Sequence, residues 1–156
     1  MKKFLLTFLL FLIPFIVIAA PFEYVYTNTG YKYVKLAHSE SSYQHAWCEK
    51  YGGVEEYENK DFTRVDCLTG THAVEFDFAN KWAESIGQAL HYQKMTGKRA
   101  KVMLILENSA KQMVYYNRVC DLGKIHNFDV EYITPAILNI KNGKCPYSDC
   151  KCNKKG

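Results

Sequence analysis

Three acids sit close together on two short extended segments. Asp66 lies within Arg64-Val65-Asp66-Cys67-Leu68, and Glu75 and Asp77 lie within Ala73-Val74-Glu75-Phe76-Asp77-Phe78. The period of two along a strand puts Val74, Phe76 and Phe78 on one face and both acids on the other. Carboxylate oxygens are the ligands that a hard cation such as Mg²⁺ requires. A cation held this way can activate water, neutralise a scissile phosphate and assist a departing oxygen. Without one, gathered carboxylates repel each other, so the cluster costs stability. The plain alternative is an edge strand whose solvated face carries Glu75 and Asp77, with Asp66 paired to Arg64 or a helix terminus.

The elements that would position these acids follow from periodicity and punctuation. Residues 21–35 interleave Tyr24, Tyr26, Tyr31, Tyr33 and Val34 with turn formers, which predicts an irregular or hairpin-like lead-in. A helix follows, with Ser39, Ser41 or Ser42 as its cap and Tyr43, Trp47 and Tyr51 along one face, stopped by Gly52 and Gly53. Strands are predicted over 54–58, 62–68 and 73–78. A second helix runs over 80–95, with Asn80 as cap and Gly97 as terminator. Along it Lys81, Glu84, Gln88 and Tyr92 stack at spacings of three and four, while Trp82, Ile86, Ala89 and Leu90 define an apolar side. The apolar run 101–106 reads as a strand buried on both faces. A third helix carrying Met113, Tyr116, Val119 and Cys120 leads to a last strand over 129–134. The order is helix, three strands, helix, strand, helix, strand. An α/β (α+β) fold is therefore expected, with a mixed sheet of four to five strands flanked by helices.

Over about residues 40–135 this arrangement resembles the PD-(D/E)xK (restriction-endonuclease-like) nuclease superfamily. The resemblance matches Asp66 to the first acid of that motif and Glu75 to the second, both ligands of Mg²⁺ or Mn²⁺, and Glu40 to a helical glutamate ahead of the sheet. The position two after the second acid, normally lysine, is Asp77 here, a third carboxylate for the metal. Lys81, at the start of the next helix, is the natural replacement for orienting water. Gln88-Ala89-Leu90-His91-Tyr92 looks like the Gln-x-x-x-Tyr element of recombination exonucleases, which implies that Gln88 and Tyr92 address the metal site or a phosphate of the substrate. The resemblance implies a divalent-metal-dependent nuclease acting on DNA or RNA. The altered lysine position favours the competing class, a non-catalytic nucleic-acid-binding or protein-interaction module on the same scaffold. Trp47 and Trp82 read as core residues.

Residues 1–19 have a basic start at Lys2 and Lys3, an apolar run and small residues before the break, the pattern of a secretory signal peptide cleaved after Ala19. The apolar run is short against the roughly 20 residues of a membrane-spanning helix. Export to the periplasm or the extracellular space is expected. Cleavage would leave about 137 residues, enough for one domain: a lead-in over 20–38, the nuclease-like domain over 39–135 and a Cys/Lys-rich tail over 136–156. The full chain has a net charge of +4. Losing the lysine pair leaves 18 basic against 16 acidic residues, too slight an excess to argue for nucleic acid by itself.

Cys48, Cys67, Cys120, Cys145, Cys150 and Cys152 all survive cleavage, and an oxidising compartment favours up to three disulfides among 15 possible pairings. If the fold above holds, Cys48 at the end of the first helix and Cys67 on a central strand could lie close together. The run from Cys145 to Cys152 could instead clip Zn²⁺, but it offers three thiols and no histidine, so stapling by disulfides is the expectation. Lys141, Lys144, Lys151, Lys154 and Lys155 read as a solvated basic end.

Overall fold

The structure is a computed structural model that describes residues 24–26, 32–34, 38–140, 145–147 and 150, the first two stretches by backbone alone. The expected signal peptide, Cys152 and the five tail lysines lie outside the described residues. The chain divides into two compact units, residues 1–35 and 36–156. In the first, β1 (Tyr24–Tyr26) pairs antiparallel with β2 (Lys32–Val34), the hairpin expected of the lead-in.

The second unit is a five-stranded mixed sheet between helices. In chain order it contains α1 (Glu40–Tyr51), β3 (Val54–Glu58), β4 (Arg64–Leu68), β5 (His72–Phe78), α2 (Trp82–Thr96), β6 (Arg99–Ile105), α3 (Ser109–His126) and β7 (Asp129–Ile133). Sheet order is β3-β4-β5-β6-β7, with β3, β4 and β5 antiparallel and β5, β6 and β7 parallel. This is the predicted element order. The two parallel connections each pass through a helix, as parallel neighbours require.

Strand β5 is central, and that decides how its acids are read. Val74, Phe76 and Phe78 pack with Trp47 and Tyr43 of α1 and with Met103 and Ile105 of β6. On the opposite face β5 runs beside Val102 and Leu104, which pack with Ala89 of α2 and Val119 of α3. Glu75 and Asp77 occupy that second face at 3 % and 2 % exposure, so they are buried rather than the solvated face of an edge strand.

Local punctuation departs from expectation at two places. Ser39 takes the cap position of α1, but its hydroxyl meets the Ser42 hydroxyl instead of a backbone N–H. Asn80 does not cap α2: Ala79–Lys81 forms a 3-10 turn and α2 begins at Trp82. Gly97 ends α2 at φ +69, as its position implied. The residues placed in the tail join the core: Pro135–Leu138 forms a 3-10 turn, and Leu138, Cys145 and Cys150 are buried in the α1 face of the sheet.

Cys48 and Cys67 form a disulfide with Cα atoms 5.8 Å apart, tying the end of α1 to β4. Gly53 is fixed by it. A Cβ at that position would lie 2.3 Å from Cys67 Sγ and 2.8 Å from Cys48 Sγ. Gly53→Ala is therefore expected to displace the bridge or the α1–β3 turn, and to lose up to the ~3 kcal/mol that closing a loop of this size provides. Urea unfolding of wild type, Gly53→Ala and the Cys48→Ala/Cys67→Ala double variant checks this, and Gly53→Ala should fall between the other two.

Candidate functional site

The site begins where β4 leaves β5. The two strands pair at Cys67↔Val74 and Leu68↔Ala73. Further along, the Phe76 N–H donates to Asp66 Oδ2 at 2.6 Å, so a carboxylate takes the place of a ladder carbonyl. Val65 and Cys67, which simple alternation would put on one face, belong to separate hydrophobic clusters. Opposite the same point, Glu56 of β3 has φ +51, a left-handed conformation uncommon for a residue with a Cβ. The buried Gln44 side chain of α1 spans this distortion, with Nε2 donating to Glu56 Oε1 at 2.8 Å and to the Asp66 carbonyl at 2.7 Å. The local result is a break in the β4–β5 ladder beside which the carboxyl groups lie.

Four carboxyls meet there as two hydrogen-bonded pairs. Asp66 bonds Glu75, and Glu40, the first residue of α1, bonds Asp77. Tyr92 of α2 is buried against Val65 and Ala73 and directs its hydroxyl to Glu75. Asp77 Oδ1 accepts from the Phe78 N–H at 2.8 Å and lies 3.4 Å from Lys81 Nζ, whose side chain is half exposed. Glu75 Oε2 is buried with no hydrogen-bond partner. An orphaned, fully buried carboxyl oxygen is costly, and a cation is what such an atom, once deprotonated, is suited to receive.

Electrostatics follow from burial and mutual repulsion. Glu75 is pushed up to about 10, first by desolvation and then by Asp66. Glu40 rises to about 8 through desolvation, then Asp77 and Asp66. Desolvation lifts Asp66 to about 7 against the lowering effect of the Phe76 N–H. Asp77 is also raised by burial, and the ammonium of Lys81 works against that shift. Lys81 is in turn raised, chiefly by Asp77. Metal-free, the cluster therefore holds protons at neutral pH. Bringing a divalent cation in would displace them, so affinity should increase with pH.

Of the residues singled out in the sequence, Asp66 neighbours Glu75, Glu40 and Lys81 neighbour Asp77, and Tyr92 borders Glu75, but no three of the acids bring one oxygen each within 4.8 Å of one another. Gln88 sits one turn before Tyr92 on α2, half-buried. Glu40, matched to the family motif from outside the sheet, reaches the cluster through Asp77. Glu56 was missed. Its charge raises Asp66 and Tyr92, but only its backbone conformation and the Gln44 contact bring it here, and neither leaves a trace in residue type. Among the described residues, the trio of side chains with all donor atoms within 4.8 Å of one another is not drawn from the acids. It is His38, Cys145 and Cys150. The acids instead associate in pairs, Asp66 with Glu75 and Glu40 with Asp77, with the Lys81 ammonium beside Asp77.

Between the ordinary glutamate value near 4.5 and its raised value, Glu75 carries more proton in the folded than in the unfolded chain. Its contribution to stability is thus present at low pH and lost as pH rises towards 10. In chelator, Glu75→Gln is expected to gain on wild type as pH rises, by more than about 1.4 kcal/mol between pH 5 and 9, where one pKa unit is worth ~1.36 kcal/mol. Urea unfolding at the two pH values measures it. Glu56→Gly relieves a left-handed residue worth roughly 1–2 kcal/mol and loses one hydrogen bond worth about 1 kcal/mol. Its unfolding free energy should stay within about 1 kcal/mol of wild type.

No protein-family model matches the chain, and neither the curated proteins nor the solved structures give a match.

Proposed function

We propose that this chain is an exported, divalent-metal-dependent phosphodiester hydrolase with nucleic acid, DNA or RNA, as its substrate. One observation carries the reading: Glu75 is buried with an unpartnered oxygen among Asp66, Asp77 and Glu40, an arrangement that costs stability without a cation. The donors are all oxygens, which fits Mg²⁺ or Mn²⁺. The PD-(D/E)xK resemblance of the sequence, carried by Asp66 and Glu75 within this element order, supports the same reading.

In this reading Asp66, Glu75 and Asp77 hold the cation. Bound there, it would supply charge neutralisation at the phosphate and acidify an attacking water. Lys81, held at Asp77, replaces the motif lysine that Asp77 displaces, and its half-exposed ammonium orients that water or meets the phosphate. Gln88 positions the phosphate or the water from α2. Tyr92 borders the Glu75 carboxyl from α2. Glu40 supports Asp77 and takes up or releases a proton as the site fills.

Export rests on the signal-peptide pattern of residues 1–19 and is supported by the Cys48–Cys67 disulfide, which persists in an oxidising compartment, periplasmic or extracellular. Among the described residues no helix is long and apolar enough to cross a membrane. One observation favours a second reading, a non-catalytic nucleic-acid or protein-interaction module: Asp77 stands where the motif has lysine.

The oxidised mature protein is to be incubated with DNA and RNA under Mg²⁺, Mn²⁺ and chelator. Cleavage is expected with metal and not with chelator. Asp66→Asn should keep the fold by circular dichroism and abolish cleavage, weakening metal binding by more than the ~10–100-fold lost when a ligand's supporting partner is removed. Metal-independent or undiminished cleavage by Asp66→Asn overturns the mechanism. Absence of both cleavage and saturable, Asp66-dependent binding heat overturns the metal site itself.

A further inference from the structure

A second constellation lies outside the acidic cluster. His38, immediately before α1, and Cys145 and Cys150, near the C-terminus, bring three potential ligand atoms within 4.8 Å of one another, and all three residues are buried. His38 Nδ1 is 3.4 Å from Cys150 Sγ. Zinc bonds of about 2.3 Å to sulfur and about 2.0 Å to nitrogen put neighbouring tetrahedral ligands about 3.5–3.8 Å apart, so only small side-chain shifts separate this trio from a coordination shell.

We propose that His38, Cys145 and Cys150 form a structural zinc site that clasps the segment before α1 to the C-terminal segment.

Three observations favour zinc. The donors are one imidazole nitrogen and two sulfurs, a borderline-soft set suited to Zn²⁺ and unsuited to Mg²⁺ or Mn²⁺. Two thiolates and a neutral imidazole cancel the charge of Zn²⁺, which makes the assembly compatible with a site where Cys150 is fully buried and Cys145 nearly so. In the C-terminal segment, none of the described residues that follow Leu138 lies in a helix or strand. After the 3-10 turn Pro135–Leu138, its described residues include a turn in which the Cys150 N–H donates to the Tyr147 carbonyl. Such a segment gains from a cross-link, and metal binding supplies folding free energy directly.

The surroundings orient the histidine as a ligand. Its backbone N–H donates to Glu107 Oε1 at 3.0 Å, and the Tyr43 hydroxyl donates to the same oxygen at 2.9 Å. The Tyr43 ring meets the His38 ring edge-on, with centroids 6.0 Å apart. Glu107, two residues past β6, thereby anchors the His38 backbone, and Tyr43, on α1, borders its ring. A fourth ligand, water or a further thiolate, completes the tetrahedron. Nothing in this site depends on phosphodiester chemistry.

The test uses the full mature chain purified without chelator. Elemental analysis should give one zinc per chain, and replacement by Co²⁺ should produce a near-ultraviolet sulfur-to-cobalt charge-transfer band with tetrahedral visible bands. His38→Ala, checked for folding by circular dichroism, should weaken zinc binding at least about 100-fold, whereas Asp66→Asn should leave zinc content unchanged. The cobalt spectrum of wild type keeps the proposal testable if His38→Ala fails to fold. The proposal is overturned by a folded protein lacking zinc, by a cobalt spectrum without the thiolate band, by peptide mapping that finds Cys145 or Cys150 in a disulfide, or by unaltered zinc affinity in folded His38→Ala.

Discussion

Burying several carboxyl groups in one place is the constraint around which this molecule is organised. Each loses hydration, Asp66, Asp77 and Glu40 all raise Glu75, and Glu75 keeps an oxygen that the protein does not satisfy. The regular β4–β5 ladder ends at Cys67↔Val74, and beyond it the Asp66 carboxylate accepts the Phe76 N–H and keeps it satisfied. The left-handed Glu56 lies opposite Asp66 on the outer strand β3. Strain of this kind persists only where neighbouring structure over-determines it, and here the neighbour is Gln44, bonded both to Glu56 and to the Asp66 backbone.

Rigidity comes from the other face of the sheet. α1 lies across Phe76, Phe78, Met103 and Ile105 through Tyr43 and Trp47, and its end is bound covalently to β4 by the Cys48–Cys67 bridge. The same helix delivers Gln44 and Glu40 to the acidic cluster from its first turns. A helix packed and bridged in this way can hold a destabilising site together, because rotating it away from the carboxyls would open the apolar face and the disulfide. Gly53 is the local price, since the α1–β3 turn passes so close to both sulfurs that a methyl group does not fit.

Sequence periodicity carried the element order, and it put Glu75 and Asp77 on one face. It could not say whether that face was wet, because burial of a strand depends on what lies beside it. Only the sheet order, with β5 third of five and covered by α2, turns the two acids from ordinary polar residues into buried ones. Asp66, Glu40 and Lys81 were singled out through a resemblance more than through physical spacing. The failed Asn80 cap has a local cause: the chain leaves β5 through a 3-10 turn that places Lys81 beside Asp77 and delays α2 until Trp82. Glu56 and the His38–cysteine trio were not legible. One depends on a backbone angle, and the other joins residues up to 112 positions apart whose intervening chain forms the entire sheet.

The two candidate metal environments differ in donor type in a way that keeps them separate. Oxygen donors with raised pKa values give up protons to a hard cation, so the acidic cluster should fill reversibly and more readily as pH rises. The histidine and cysteines present nitrogen and sulfur in buried surroundings, where a softer ion would be held as part of the fold. The β6 strand relates the sites. Leu104 runs beside Asp77, while Glu107, two residues past the end of β6, accepts from both His38 and Tyr43. Fixing the segment before α1 through His38 also fixes where Glu40 begins the helix, because only Ser39 stands between them. A clasp at that point restrains the residue that shares a proton with Asp77, so order at the soft-donor site would limit how far the acidic cluster can relax when empty.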